Sequence, residues 1–174
     1  VSFFWDMVNS VEEQVYENWE LILVNASPNN AALSDELARL SDSRVKVVPL
    51  TENKGIAENT NAGIEAASGD YIVFFDHDDT LDRFALYRYA ERISIRPETD
   101  ALYCDEDFLN EDGEYVDPHY KSDLNLDLLR VHNYITHLLC VRVSFVKDLM
   151  LRKSFDGAQD YDFLLRLCER TKNI

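Results

Sequence analysis

The chain has 174 residues, 46% of them apolar and 29% charged, which is enough for one domain with its own core. Its formal net charge of −16 argues against a non-specific nucleic-acid binder, which must set Lys and Arg against phosphates, and gives no help in docking to anionic lipid. Most of that charge reads as a solvated acidic surface, and only clustered carboxylates are candidates for a cation site.

Taken in chain order, Phe3 to Tyr16 reads as a helix, with Phe4, Met7, Val8, Val11 and Val15 near a 3.6-residue period. "ELILVN", Glu20 to Asn25, is a strand stopped by the loop "ASPNN". Ser34 to Leu40 fits a short helix and Arg44 to Leu50 a second strand. Gly55 to Ala67 places Ile56, Gly63, Ile64 and Ala67 on one helical face, and Ser68-Gly69-Asp70 breaks it before the strand Tyr71 to Phe75. A helix over Arg83 to Arg96 stops at Pro97, and Ala101 to Asp105 is a further strand. "NEDGEY", Asn110 to Tyr115, carries the Asp-Gly of a hairpin. Leu138 to Arg142 forms a strand; Ser144 to Leu151 and Gln159 to Arg170 close the chain as helices.

Strands alternate with helices through the first hundred residues, the pattern of an α/β, mostly parallel, doubly wound sheet. Ligands of such sheets sit beyond the carboxyl ends of the strands. Asn25, the loop Leu50 to Gly55 and Asp76 to Asp79 all follow strand ends and are expected on one rim. Residues 1–100 are read as a ligand-binding half. Residues 101–174, where the alternation breaks, are read as a smaller mixed portion that closes the rim.

In "DYIVFFDHDDTL", an apolar strand empties into Asp76, His77, Asp78 and Asp79. In an extended chain, positions i and i+2 point to one side, so Asp76 and Asp78 face a common ligand while His77 points away. Two carboxylates at a pocket mouth suit Mg²⁺ or Mn²⁺, which prefer oxygen ligands and keep waters and phosphates in their shell. Asp78, Asp79 and Asp82 are equally suited to capping the helix near Arg83. Cys104, Cys140 and Cys168 show no zinc spacing and read as free thiols in a reducing compartment. No apolar run approaches the roughly 18 residues of a membrane span, and no signal peptide is visible. The abrupt start at Val1 and end at Ile174 read as those of a fragment.

Five segments, "QVYENWELILVNASP", "ENKGIAENTNAGIEAASGDYIVFFDHDD", "YCDEDFLNEDGEYVDPHYKSDLNLDLL", "NYITHL" and "FDGAQDYDFLLRL", fall in the order seen in glycosyltransferase family 2. The resemblance runs from about Val11 to Arg170 and is similar to the bacterial branch that builds rhamnose-containing and other cell-surface polysaccharides. It implies the GT-A fold and sugar transfer from a nucleotide diphosphate, UDP- or dTDP-linked, to a glycan or lipid-linked acceptor. It also implies action in the cytoplasm at the inner membrane face, with any peripheral membrane attachment lying outside this chain.

By the same resemblance, Asp76 to Asp78 is the family's DxD motif. Asp78 contacts the metal, Asp76 faces the ribose and the metal shell, and Asp79 helps from behind. "GAQDYDFLLR" resembles the later acidic motif, which makes Asp160 the catalytic base and leaves Asp162 structural. Asn53, Lys54 and Asn59 fall in the donor-binding loop, where Lys54 can meet a phosphate and Gly55 lets the backbone approach closely. His137 in "NYITHL" sits where relatives carry a His that reaches acceptor, diphosphate or metal. A buried, hydrogen-bonded imidazole is the alternative there.

Three departures from the family stand out. The opening strand of the family is absent, which is expected to expose apolar sheet edges. "LVNASP" places Asn25 where the family has the Asp that accepts the base N3–H. An Asn carbonyl can still accept that bond, though a charge-assisted bond is roughly twice as strong. The "GGF" segment reads "DLMLRKSF", Asp148 to Phe155, without its two glycines. These departures leave a catalytically impaired sugar-nucleotide-binding remnant as an alternative to an active transferase. A phospho-accepting receiver domain would also gather acidic residues at strand ends, but this chain has no suitable late Lys.

Overall fold

A computed structural model describes residues 3–110 and 112–174; Glu111, inside the expected hairpin turn, lies outside the described residues. Helix α1 (Phe4–Glu12) is followed by β1 (Leu21–Asn25), α2 (Ala31–Leu37), β2 (Val45–Pro49), α3 (Ile56–Ala66), β3 (Tyr71–Phe74) and α4 (Ala85–Ile95). The alternation expected for the first half is present. The second half holds β4 (Ala101–Leu102), the hairpin β5 (Glu106–Leu109) and β6 (Tyr115–His119), α5 (Leu126–Leu129) and β7 (Leu139–Arg142). It ends with α6 (Val143–Leu149), a 3-10 turn (Lys153–Phe155) and α7 (Gln159–Arg170).

Strands β1 and β2 pair in parallel, with Leu21 opposite Val45 and Asn25 opposite Pro49. Strand β7 enters between β3 and β4 and runs antiparallel to both, so the second half supplies the mixed part of the architecture. Because β3 and β4 both oppose β7, they point the same way. Among the described residues, no strand pairs with the second edge of β1 or with the outer edge of β3. The apolar side chains of both strands are only half-buried, as expected for exposed sheet edges.

The main core lies where α7 crosses the β3–β7–β4 sheet. Phe163, Leu164, Leu167 and Cys168 recur at helical spacing and are buried against Val141, Val146, Leu129 and Ile135. Phe74 of β3 meets Phe163 edge to face, 5.3 Å between ring centroids, which ties the strand that carries the acidic turn to this helix. A second cluster forms under α1, where Phe4, Met7 and Val8 pack with Leu21, Leu23 and Phe75. Helix α1 is shorter than its apolar pattern predicts: it stops at Glu12, and Val15 is exposed, its N–H donating to the Arg83 carbonyl.

In α3, Ala57 rather than Ile56 faces the core, and Ile56 is exposed. Gly63 lets the helix approach β1, since a Cβ there would stand 3.0 Å from a Val24 methyl. Asn61 on the same helix accepts from the Leu151 N–H and donates to the Leu151 carbonyl, fixing the segment after α6. In that segment, which lacks the two glycines, Met150 takes φ +46°, a left-handed conformation unusual for a side chain with a Cβ. Its carbonyl is held by Arg166. The three cysteines are free thiols; burial pushes Cys140 up to about 12. Among the described residues, no helix is long and apolar enough to cross a membrane.

Candidate active site

The acidic segment after β3 forms a turn in which the Asp79 N–H donates to the Asp76 carbonyl at 3.4 Å. A turn of this kind folds its fourth residue back towards its first. The expected i, i+2 pairing therefore gives way to i, i+3. The side chains that converge are Asp76, Asp79 and His137, whose ligand atoms all lie within 4.8 Å of one another. His137 Nδ1 is 3.2 Å from Asp79 Oδ2. Asp78 stands outside this group beside His77, with side chains 55% and 88% exposed. His77 points away from the cluster, but into solvent.

Asp79 does not cap α4. The Asp82 carboxylate accepts from the Phe84 N–H, and Gln14 beyond α1 accepts from the Leu86 N–H while donating to the Asp82 carbonyl. The donors at the start of α4 are thus satisfied from elsewhere, and Asp79 is left for the cluster.

The electrostatics match this geometry. The hydrogen bond that His137 donates to Asp79, reinforced by the charges of Asp79 and Asp76, raises the His137 pKa against the opposing effect of burial. Asp76 is raised too. Partial withdrawal of its carboxyl from water is the leading cause; the attraction of His137 opposes it, and repulsion from Asp79 and Asp78 adds to it. The group has more negative charge than its own donors neutralise. Two carboxylates and an imidazole within ligand reach of one point fit a hard or borderline divalent cation such as Mn²⁺ or Mg²⁺.

Asp160 lies in the exposed first turn of α7. One of its carboxylate oxygens, Oδ2, accepts from Asn133 Nδ2 at 3.1 Å. Asn133 belongs to the same loop as His137, so one segment touches both the base candidate and the acidic cluster. Asp162 is buried and structural. It accepts from Arg152 and Arg166, and these bonds hold its pKa down despite burial.

The donor-loop candidates interlock. Asn53 accepts from the Gly55 N–H and from Asn59 Nδ2, and Asn59 accepts from the Lys54 N–H. Their side-chain oxygens shape the loop, while Lys54 is exposed and makes no ion pair among the described residues. Gly55 has φ +100°, and a Cβ there would fall 2.3 Å from Asp156 Oδ2, whose partner oxygen accepts from the Ala57 N–H at 2.9 Å. Asp156, just before the Asp160 segment, thereby pins the start of α3 to the α7 approach. Asn25 uses its side-chain oxygen to accept from the Ser27 N–H, bending the chain after β1. The loops after β1 and β2 share an open cleft of about 470 Å³, lined by Ala26 to Asn30 and Thr51 to Asn53. Asn133, Asp156, Gln14 and Asn61 were not distinguished by sequence reasoning, because each acts through a partner far along the chain.

Parallel strands alternating with helices, an acidic turn at the end of β3 and open loops after β1 and β2 are the features of a GT-A-type domain. The family model described as glycosyl transferase family 2 matches residues 2–149, and the chain belongs to that family of transferases. Among curated relatives, the uncharacterized protein y4gI of Sinorhizobium fredii is 39% identical over 97% of this chain and 19% of its own length. The O-antigen biosynthesis protein RfbC of Myxococcus xanthus is 37% identical over 99% of this chain and 14% of its own length. The chain thus spans about a fifth or less of these two relatives. The crystal structure of S. aureus TarS 1–349 in complex with UDP-GlcNAc matches with a TM-score of 0.76 at 18% identity, over 95% of this chain and 49% of that one. The mannosyltransferase PcManGT from Pyrobaculum calidifontis, in complex with GDP-Man and Mn²⁺, matches with a TM-score of 0.68 at 17% identity, over 95% and 48%. At these identities the likeness to solved structures shows the fold.

Proposed function

We propose that this domain is a metal-dependent, inverting glycosyltransferase that moves a sugar from a nucleotide diphosphate, UDP- or dTDP-linked, to a hydroxyl of a glycan or lipid-linked acceptor in polysaccharide biosynthesis at the cytoplasmic face of a membrane. The observation that carries the reading is the convergence of Asp76, Asp79 and His137 at the carboxyl end of β3. These three side chains would hold the cation, Mn²⁺ or Mg²⁺, in place of the expected set Asp76, Asp78 and His137. When bound, the cation neutralises the diphosphate charge that builds as the sugar leaves. Residues 1–100 supply the donor side, with Asn25, Asn53, Lys54 and Asn59 around the strand ends. Lys54, exposed and unpaired among the described residues, meets phosphate. Residues 101–174 supply the acceptor side.

Asp160 takes the proton from the attacking acceptor hydroxyl. Asn133 holds one of its oxygens and leaves the other able to accept that proton. Attack from the face opposite the diphosphate inverts the anomeric carbon. A similar protein, the O-antigen biosynthesis protein RfbC, supports a polysaccharide product.

The test is Asp160→Asn in the full-length protein, after a thermal-shift screen of UDP-, dTDP- and GDP-sugars with Mn²⁺ has identified the donor. Loss of the general base is expected to slow transfer about 10²–10⁴-fold while donor and Mn²⁺ affinity stay within about twofold. A comparable loss of donor binding removes Asp160 as the base. Donor binding without turnover in the unmutated protein favours the impaired remnant.

A further inference from the structure

Lys121 has a buried side chain and lies outside the cation cluster. Its side chain is 1% exposed, although lysines are almost never fully buried unless paired. It follows β6 by two residues, and its Nζ has two partners from different parts of the fold. One is Glu106 Oε2 on β5, at 3.0 Å; the other is the backbone carbonyl of His137. Glu106 is itself fixed, because its second oxygen meets His119 Nδ1 at 2.9 Å across the hairpin register. The Lys121 backbone is also held, its N–H donating to Asp105 Oδ1 at 2.7 Å.

The carbonyl that Lys121 grips belongs to the residue whose imidazole lies 3.2 Å from Asp79. The next carbonyl, that of Leu138, is held by the buried Tyr89 hydroxyl at 2.5 Å. Two consecutive backbone oxygens are therefore held, one by a charge and one by a phenol. A bond from a buried ammonium to a neutral carbonyl is charge-assisted and stronger than an ordinary one. Removing Glu106 would leave the buried Lys121 ammonium without its carboxylate, so the arrangement resists local opening.

We propose that Lys121, braced by Glu106, is a positioning residue that fixes the His137 backbone so that its imidazole stays with Asp76 and Asp79, and that it thereby links the β5–β6 hairpin to the cation site. Lys121 touches neither cation nor substrate. It acts through the loop, as outer-shell partners do when they orient a ligand. The inference rests on the reading that Asp76, Asp79 and His137 hold a divalent ion.

The experiment measures Mn²⁺ affinity of the full-length protein by electron paramagnetic resonance of the free ion, at a temperature where every variant is folded. Lys121→Met keeps the length of the side chain and removes the donor. It is expected to weaken Mn²⁺ binding about tenfold, the low end of the effect of disturbing a ligand's outer-shell partner. Glu106→Gln leaves Lys121 in place, braced by a neutral acceptor. Because Lys121 keeps its own bond to the His137 carbonyl, this variant is expected to weaken binding by less than about tenfold, and it keeps the test alive if Lys121→Met does not fold.

Tyr103→Phe is the control. It removes the bond from the Tyr103 hydroxyl to the Ser122 carbonyl next to Lys121, lowers Tm, and is expected to leave Mn²⁺ affinity unchanged. Equal affinity in Lys121→Met and the unmutated protein overturns the positioning role and leaves the cation site standing. A Tyr103→Phe loss as large as that of Lys121→Met reduces Lys121 to general stability and overturns the link. Absence of Mn²⁺ binding in the unmutated protein overturns the cation site and the inference together.

Discussion

At the start of α7 and at the end of β3, the chain places carboxylates in tight groups, and it treats them in opposite ways. Asp162 is 7% exposed, and two guanidinium groups surround it: Arg152 grips both of its oxygens, and Arg166 adds a bond at 3.0 Å. Its charge is matched within the fold, and its pKa is held down. In the turn after β3, Asp76 and Asp79 converge with a single imidazole, and the Asp76 pKa is pushed up. In an acidic protein, matched carboxylates belong to the scaffold. Carboxylates left short of positive charge mark the place where a cation would complete the fold's own arithmetic. Charge density alone does not distinguish the two regions; the number of donors aimed at each oxygen does.

The largest effect is expected from breaking the matched group. Asp162→Ala would leave Arg166, only 18% exposed, without its carboxylate, and would loosen the segment whose Leu149 and Met150 carbonyls Arg166 holds. Removing one partner of a buried pair typically costs 3–5 kcal/mol; with Arg152 half exposed, a loss of about 3 kcal/mol is expected here. Urea unfolding reads it directly. A loss under about 1 kcal/mol would mean that the pairing is not what stabilises the α6–α7 junction.

A smaller effect sharpens the comparison on pH. Glu20 accepts from Lys46, the Ser68 N–H and hydroxyl, and the Gly69 N–H. Burial would raise its pKa, but these donors outweigh it and bring the carboxyl from 4.5 to about 2. A depressed folded pKa contributes stability that is complete above the unfolded value near 4.5 and is lost as pH falls through about 2. Glu20→Gln is therefore expected to cost about 1–2 kcal/mol at pH 7, the worth of charge-assisted bonds at a half-open site. The gap from the unmutated protein should narrow steadily below pH 4.5. A gap that does not change with pH would show that the donors bind the amide as well as the carboxylate.

The elements that position the site were legible because they are written in local periodicity. Strand β3 is a continuous apolar run, and α7 repeats its buried residues at helical spacing, so the places of Asp76 and Asp160 follow from strand end and helix start. The partner of Asp76 was not legible. The choice between Asp78 and Asp79 depends on whether the chain continues extended or turns, and Asp-His-Asp-Asp permits both. The helix-cap alternative for Asp79 fails for a long-range reason: Gln14, 68 positions before Asp82, already serves the start of α4. Lys121 carried no signal, because a single lysine in an acidic stretch looks like any solvated charge. Only the tertiary contact that buries it singles it out.

The smallest expected effect tests the unmatched group, and its sign is the opposite of the other two. The Asp76 carboxyl has its pKa raised in the fold, so the ionised form is disfavoured there relative to the unfolded chain. That penalty is absent below the unfolded carboxylate pKa and grows as pH rises through the folded one, so at pH 7 Asp76 works against folding. Asp76→Asn keeps the shape and removes the charge. In the absence of added metal it is expected to raise stability slightly at pH 7, by less than about 1 kcal/mol because the carboxyl is only partly withdrawn from water and remains screened. The gain should vanish at pH 3. Added Mn²⁺ should then stabilise the unmutated protein and not the variant, since binding the folded state alone shifts unfolding by mass action. A variant that loses stability at pH 7 without metal would place Asp76 with Asp162 among the matched carboxylates, and the contrast between the two regions would fail at that residue.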